Sequence, residues 1–388
     1  MTRWSKQLVV RGLLVLCVAC AGPPYATPQS RAPLYPNEEI LIGAGFPALT
    51  WFQKGVDPEK PLIVFIPGAA HLGRIAYGCP SCDEREFLAY WVLKRGFSFL
   101  AISYPLGHPV YDRVYPEFTI KDWGRQAAEI TRIIINRQRL NNHVVAVGWS
   151  MAGKIAKPFN DAASELGIKV DFFVALAATP PLPKLVPGLT ERTKRTPEGL
   201  ANLADRYPWF VSSLKAQNDL NRKELIPLKT YREEFLGDFP INLLGTELRY
   251  RDGNFVSAIA ESEQDMGSYE YARFPLTTVI TNSSALDARH ALTDESAWGM
   301  YTMQKIFQDY VASSGTVLES LEQQKWQCLR ASLKALPARL TRTETGTHFF
   351  FVGAKGARAT ARDIETLSRQ VRQIRKTIGV CLAKAIDR

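Results

Sequence analysis

A serine stands where a run of β-branched and small apolar residues gives way to a helical pattern. Val144-Val145-Ala146-Val147 reads as a buried parallel strand that stops at Gly148. Ser150 follows in Gly148-Trp149-Ser150-Met151-Ala152-Gly153, and the helical pattern begins at Met151. A strand–turn–helix of this kind can hold a serine on a tight, strained turn. It needs small residues there because strand and helix approach closely. A serine hydroxyl is a weak nucleophile, so acyl transfer requires an adjacent base, itself oriented by an acid. The histidines available are His71, His108, His143, His290 and His348, and two carboxylates, Asp287 and Asp294, follow the apolar run Leu276-Thr277-Thr278-Val279-Ile280.

The pattern around Ser150 is G-x-S-x-G with Ala152 in the last place and Gly153 after it. On these residues the chain resembles the α/β-hydrolase superfamily, over roughly residues 40–178 and 274–388. In that superfamily the chain order is serine, acid, histidine. The resemblance implies His348 as general base and acid, because Gly346-Thr347-His348-Phe349 is similar to the loop in which these hydrolases carry it. It implies Asp287, in the loop directly after the strand ending at Ile280, as the orienting acid. Asp294 is the alternative acid, and its position near Thr293 also suits a helix N-terminus. His290 reads as an ordinary loop residue. The gap from either acid to His348 is longer than the family usually shows, as if an extra helix intervened. Two backbone N–H donors would form the oxyanion hole. They are Met151, after the serine, and Ala69, in Pro67-Gly68-Ala69, where Pro67 replaces a common histidine. The implied activity is hydrolysis of a carboxylic or lipid ester through an acyl-enzyme, with no cofactor and no metal. A non-catalytic envelope binding protein on the same fold is the alternative.

Elements must bring these residues together. Leu62–Ile66, Phe97–Ile102, the run into Ser150, Val170–Ala177 and Leu276–Ile280 read as strands, and helical stretches separate them. One such helix contains Glu86, Phe87, Leu88, Trp91 and Val92, and another is capped by Thr119. This alternation predicts an α/β fold, a doubly wound and mainly parallel sheet. Pro180-Pro181 interrupts it. Residues 180–273 read as an inserted, mostly helical cap, with Tyr207, Trp209, Phe210, Tyr231 and Phe235 facing either a cleft or a local core. The hydrolase core is then 40–179 and 274–388. Further helices are expected over Thr293–Val311 and Thr316–Leu333, with a short strand near Arg339–Arg342. A last helix is expected to start at Thr360, capped with Asp363.

The 388 residues include 48 basic and 38 acidic side chains, a formal charge of +10. Basic residues are scattered rather than striped and no nucleic-acid module is present, so a nucleic-acid partner is not expected. The surplus suits anionic surfaces, and membrane-surface association joins a small-molecule or lipid ester as the expected partners. Residues 1–21 read as a signal peptide, with Arg3, Lys6 and Arg11 before the apolar run 12–21. Small-x-small cleavage after Ala21 and a lipobox ending at Cys20 are both open. The chain is therefore expected in the bacterial periplasm, as an outer-membrane lipoprotein, or secreted. The proline-rich stretch 22–39 reads as an extended tether. In an exported protein the remaining Cys79, Cys82, Cys328 and Cys381 suggest disulfides, with Cys79–Cys82 and Cys328–Cys381 the favoured pairing of three.

Overall fold

The computed structural model describes residues 32–382, so the leader and most of the tether lie outside the described residues. Eight strands form one sheet: β1 (Glu38–Gly43), β2 (Phe46–Gln53), β3 (Leu62–Ile66), β4 (Phe99–Ser103), β5 (His143–Trp149), β6 (Lys169–Leu176), β7 (Thr277–Asn282) and β8 (Thr341–Glu344). Their spatial order is β1-β2-β4-β3-β5-β6-β7-β8. β1 and β2 form an antiparallel hairpin, and β2 also runs antiparallel to β4. Every other neighbouring pair is parallel. The central strands have no exposed face. β3 is buried at all five positions and β5 at all but His143, as expected of parallel strands covered on both sides.

The alternating helices include α1 (Leu88–Lys94), α2 (Ile120–Gln138) and α3 (Ala156–Glu165). Thr119 and Asp122 close a reciprocal capping box at the start of α2. In the stretch 180–273 the structure has α4 (Tyr207–Asn221), α5 (Ile259–Met266), two short two-stranded ribbons and irregular turns. Its aromatics divide between two roles. Tyr231 and Phe235 are wholly buried in the common core, whereas Trp209 and Phe210 line a cavity at the sheet. Backbone bridges join this stretch to the loops after β3 and β4, at His71 with Leu236 and at Gly107 with Asp238. The longer helices that follow are α6 (Ala288–Lys305), α7 (Gln323–Lys334) and α8 (Ala354–Cys381), with a short helix at Leu336–Leu340 between the last two. Among the described residues no helix is long and apolar enough to cross a membrane.

Several expected boundaries shift, each for a tertiary reason. β1 begins inside the expected tether because the Glu38 carboxylate is buried and gripped twice by Arg74, at 2.7 and 2.8 Å, with Tyr77 donating at 2.6 Å. α8 begins six residues before Thr360, which is fully buried within it. Glu86, distant in sequence, does the capping: its carboxylate accepts from Ala354 N–H and its carbonyl from Gly353 N–H, both at 2.7 Å. Residues 316–322 form no α-helix, and the helix there starts at Gln323. After Ser150 the chain makes a 3₁₀ stretch to Ile155 before α3 begins. Cys79 is bonded to Cys82, and Cys328 to Cys381, the latter tying α7 to α8.

Candidate active site

Parallel strands point their carboxyl ends the same way, and four loops leave that one edge. Ala69 follows β3, Ser150 follows β5, Asp287 follows β7 and His348 follows β8. Open sheets of this kind carry their ligand sites in the crevice outside those ends.

Ser150 has φ 55°, the left-handed region that a residue with a side chain rarely adopts. Its carbonyl accepts from Thr179 N–H at 2.9 Å, which helps hold the turn. Two glycines permit the close approach. A Cβ on Gly148 would meet the Phe173 ring at 2.4 Å, and one on Gly68 would meet Ser150 Cβ at 2.6 Å. Ala152 is fully buried at the position where the motif usually has glycine, and it is accommodated there. Gly153 takes the tighter place: a Cβ on it would lie 2.4 Å from the Thr179 carbonyl oxygen.

Asp287 and His348 meet. His348 Nδ1 lies 2.7 Å from Asp287 Oδ2, and Asn282 donates to the same oxygen at 2.6 Å. A carboxylate can only accept, so Nδ1 carries the proton and Nε2 presents its lone pair. Nε2 is buried and has no hydrogen-bond partner, and Ser150 Oγ is likewise not hydrogen-bonded to it. Burial opposes the charge on Asp287, yet the field and hydrogen bond of His348 outweigh burial and hold the carboxyl below its usual range. Burial lowers the His348 imidazole below its usual value despite Asp287, and His290 and Arg289 push it the same way. At neutral pH the pair is therefore an ionised carboxylate and a neutral imidazole, the form a general base requires.

The loop after β3 is pinned by groups that sequence reasoning missed. Tyr104 Oη accepts from Ala70 N–H and donates to the Gly68 carbonyl, both at 2.9 Å. His71 Nδ1 lies 2.8 Å from the Ala69 carbonyl and Nε2 lies 2.8 Å from Tyr231 Oη. Burial lowers His71 to about 3, so this ring is neutral, donating from Nδ1 and accepting at Nε2. Ala69 and Met151 line one cavity with Ser150, Asp287 and His348, a space of about 380 Å³. The stretch 180–273 supplies part of its wall. The Trp209 ring lies 5.0 Å from that of His348, and Trp209 Nε1 donates to the Leu286 carbonyl at 2.9 Å. From α4, Gln217 accepts from Thr347 N–H at 3.1 Å and donates to the Val352 carbonyl at 2.8 Å, bracketing the histidine loop.

The two acids and two histidines sort into separate pairs. Asp294, the alternative acid, lies 2.9 Å from His290 Nδ1 and not against His348. His290 is no ordinary loop residue. It is buried in α6, four positions before Asp294, with its ring 5.2 Å from that of His348. The signal available for it was the i, i+4 spacing of His290 and Asp294, one helical turn. Asp287, His290 and His348 present ligand atoms within 4.8 Å of one another, a set that could hold a metal ion. Asp287 is already engaged by His348 and Asn282, and His290 by Asp294 and Arg289.

Strand order, the left-handed serine after β5, and the acid and histidine after β7 and β8 decide the architecture. This is the α/β-hydrolase fold. No family model and no curated protein matches the sequence. Among solved structures the chain is similar to a thioesterase domain from the curacin biosynthetic pathway, at 16% identity and TM-score 0.39, over 84% of this chain and 98% of that one. It is also similar to the protein AqdC, described with its product from ring cleavage of the Pseudomonas quinolone signal, at 15% identity and TM-score 0.47, over 85% and 99%. A third is from a study of carboxylesterases of the thaumarchaeon Nitrososphaera gargenis, at 12% identity and TM-score 0.38, over 87% and 99%. The strand order and the left-handed turn at Ser150 are the marks of this fold in the chain itself.

Proposed function

We propose that the protein is a serine hydrolase acting on ester bonds. Ser150 Oγ attacks the ester carbonyl while His348 Nε2 takes its proton. Asp287 holds the imidazole in the correct tautomer and stabilises the imidazolium that forms. Met151 and Ala69 N–H donate to the oxyanion. His348 then protonates the leaving alcohol, and water activated by the same nitrogen releases the acid from the acyl-enzyme. The observation that carries the reading is the bonded Asp287–His348 pair, with a free Nε2, in the cavity that Ser150 lines. A mixed wall, with Trp209 and Phe210 beside cationic side chains, suits a small carboxylic ester or the ester end of a lipid. We further propose that the protein is exported and works at the cell envelope, either as a lipoprotein or as a soluble protein. The basic-then-apolar leader and the two disulfides support this.

The test is covalent labelling with a fluorophosphonate probe, followed by a panel of p-nitrophenyl esters of increasing acyl length. Labelling at Ser150, lost in Ser150→Ala together with esterase activity, is the expected result. Folded protein that takes no label favours the second reading, a binding protein on a hydrolase fold. One observation speaks for that alternative: the serine hydroxyl and the imidazole are not hydrogen-bonded to each other.

A further inference from the structure

Cations outnumber acids in the cavity beside Ser150, where Arg192 and two aspartates, Asp205 and Asp287, also line the wall. Lys154, Arg206 and Arg289 all line it. Lys154 lies within the field of both arginines. Burial is the main cause that lowers the Lys154 ammonium to about 7, and the charges of Arg289 and Arg206 add to it. Lys154 donates to the Leu244 carbonyl. Arg206 reaches Thr193 Oγ1 at 3.4 Å, and Arg289 reaches Thr179 Oγ1 at 3.0 Å and His290 Nε2. In both arginines Nη1 is buried and has no partner.

The acids of the same wall are committed elsewhere. Asp287 serves His348 and Asn282. Asp205 accepts from Lys194 N–H and lies 3.7 Å from the Lys194 ammonium. Its charge favours that of Arg206 without an ion pair between them. A guanidinium cannot shed its proton to escape burial, and a buried donor without an acceptor is costly. Both side chains line the cavity of Ser150, and an acceptor that arrives with a ligand, met by a small turn of each guanidinium, would relieve this cost. Planar guanidinium groups suit carboxylate and phosphate oxygens, which can accept two hydrogen bonds each.

Building on the serine-hydrolase reading, we infer that the substrate is an ester carrying a second, anionic group, a carboxylate or a phosphate, which Arg206 and Arg289 bind inside the cavity. The neutral ester end lies at Ser150, and the anion fixes the substrate's direction. Lys154 adds to the positive field around it.

Matched ester pairs test this. Rates are read by pH-stat for monoethyl succinate against ethyl butyrate, and for monobutyrylglycerol phosphate against monobutyrin. The wild type is expected to favour at least one anionic ester over its neutral twin by about tenfold or more in kcat/KM, the effect of a charged hydrogen bond. Which pair shows it distinguishes carboxylate from phosphate. In the double variant Arg206→Gln, Arg289→Gln the preference should fall to about threefold or less, the residue of rim electrostatics. Equal rates within both pairs, or a preference that survives in the double variant, overturns the proposal. If the double variant melts early, wild-type protection decides. Inorganic phosphate at tens of millimolar should slow fluorophosphonate labelling of Ser150, and unchanged labelling overturns the proposal. Wild-type protein that takes no label at all defeats the hydrolase reading itself, whereas labelling without anion preference defeats only this inference.

Discussion

His348 Nδ1 lies 2.7 Å from Asp287 Oδ2, and Asn282 donates to that same oxygen at 2.6 Å. The carboxylate thus has one oxygen shared between the imidazole it orients and the amide that orients it. The neighbouring Asp294 plays the corresponding part for His290, one helical turn away. Two acid–histidine pairs therefore stand side by side, and only one of them contains the histidine whose second nitrogen is free.

Asp287→Asn should lower kcat by about four orders of magnitude while the fold survives, because an amide stabilises the wrong tautomer of the imidazole. Asp294→Asn should cost less than about tenfold in kcat and show its effect mainly as a lower Tm, as expected for a buried hydrogen bond weakened away from the reacting atoms. Steady-state rates and thermal melts on both variants check this. A larger loss of kcat in Asp294→Asn than in Asp287→Asn would place the acid at Asp294.

The pH profile of kcat/KM should rise with a single limb whose midpoint lies below the usual histidine value of about 6.5. The sign follows from the base. In the proposed mechanism protonated His348 cannot take the serine proton, and burial, His290 and Arg289 all lower its affinity for the proton. Replacing His290 with Gln removes one of those influences, so the midpoint should move upward. A midpoint that moves downward, or not at all, would show that His290 does not act on His348.

Gly68→Ala should reduce kcat by about a hundredfold or more with little change in Tm, since misplacing a reacting group by about an ångström costs that much. The new methyl group would sit 2.6 Å from Ser150 Cβ, and both the serine and the loop carrying Ala69 must move. Fluorophosphonate labelling rates and melting curves separate displacement from unfolding. Unchanged labelling would mean that the loop has room the structure does not show.

Glu86→Ala should lower stability by about 1–2 kcal/mol through loss of a helix cap. The carboxylate satisfies Ala354 N–H at the start of α8 and pairs with Lys223 at 2.6 Å. Denaturant unfolding measures the loss. Thr360→Ala should leave the start of α8 in place, because Thr360 lies inside the helix. Amide exchange over residues 354–360 that rises in Thr360→Ala but not in Glu86→Ala would reverse that assignment.

The strands and the serine turn were legible along the chain because their determinants are local. Val144–Val147 reads as a buried strand from its β-branched residues and its stop at Gly148, and Gly148, Ala152 and Gly153 are the sizes that a turn packed this closely admits. The same holds for the cap at Thr119, to which the structure adds the reciprocal partner Asp122 three residues on. Position in the chain also sufficed to nominate Asp287 and His348, through the order that the hydrolase resemblance implies. The hairpin of β1 and β2 was not legible, because Glu38 needs Arg74 and Tyr77 to be buried at all.

What the sequence alone determined is the set of short-range choices: where strands stop, which turn needs small residues, and which residue types could serve as nucleophile, acid and base. The tertiary structure decided the pairings. Asp287 rather than Asp294 meets His348, Glu86 rather than Thr360 caps α8, and Arg206 and Arg289 reach the serine's cavity without carboxylate partners. The physical reason is range. Backbone conformation and close packing are set by neighbours within a few residues, whereas hydrogen bonds, buried charge and proton affinity depend on groups brought together by the sheet from distant parts of the chain.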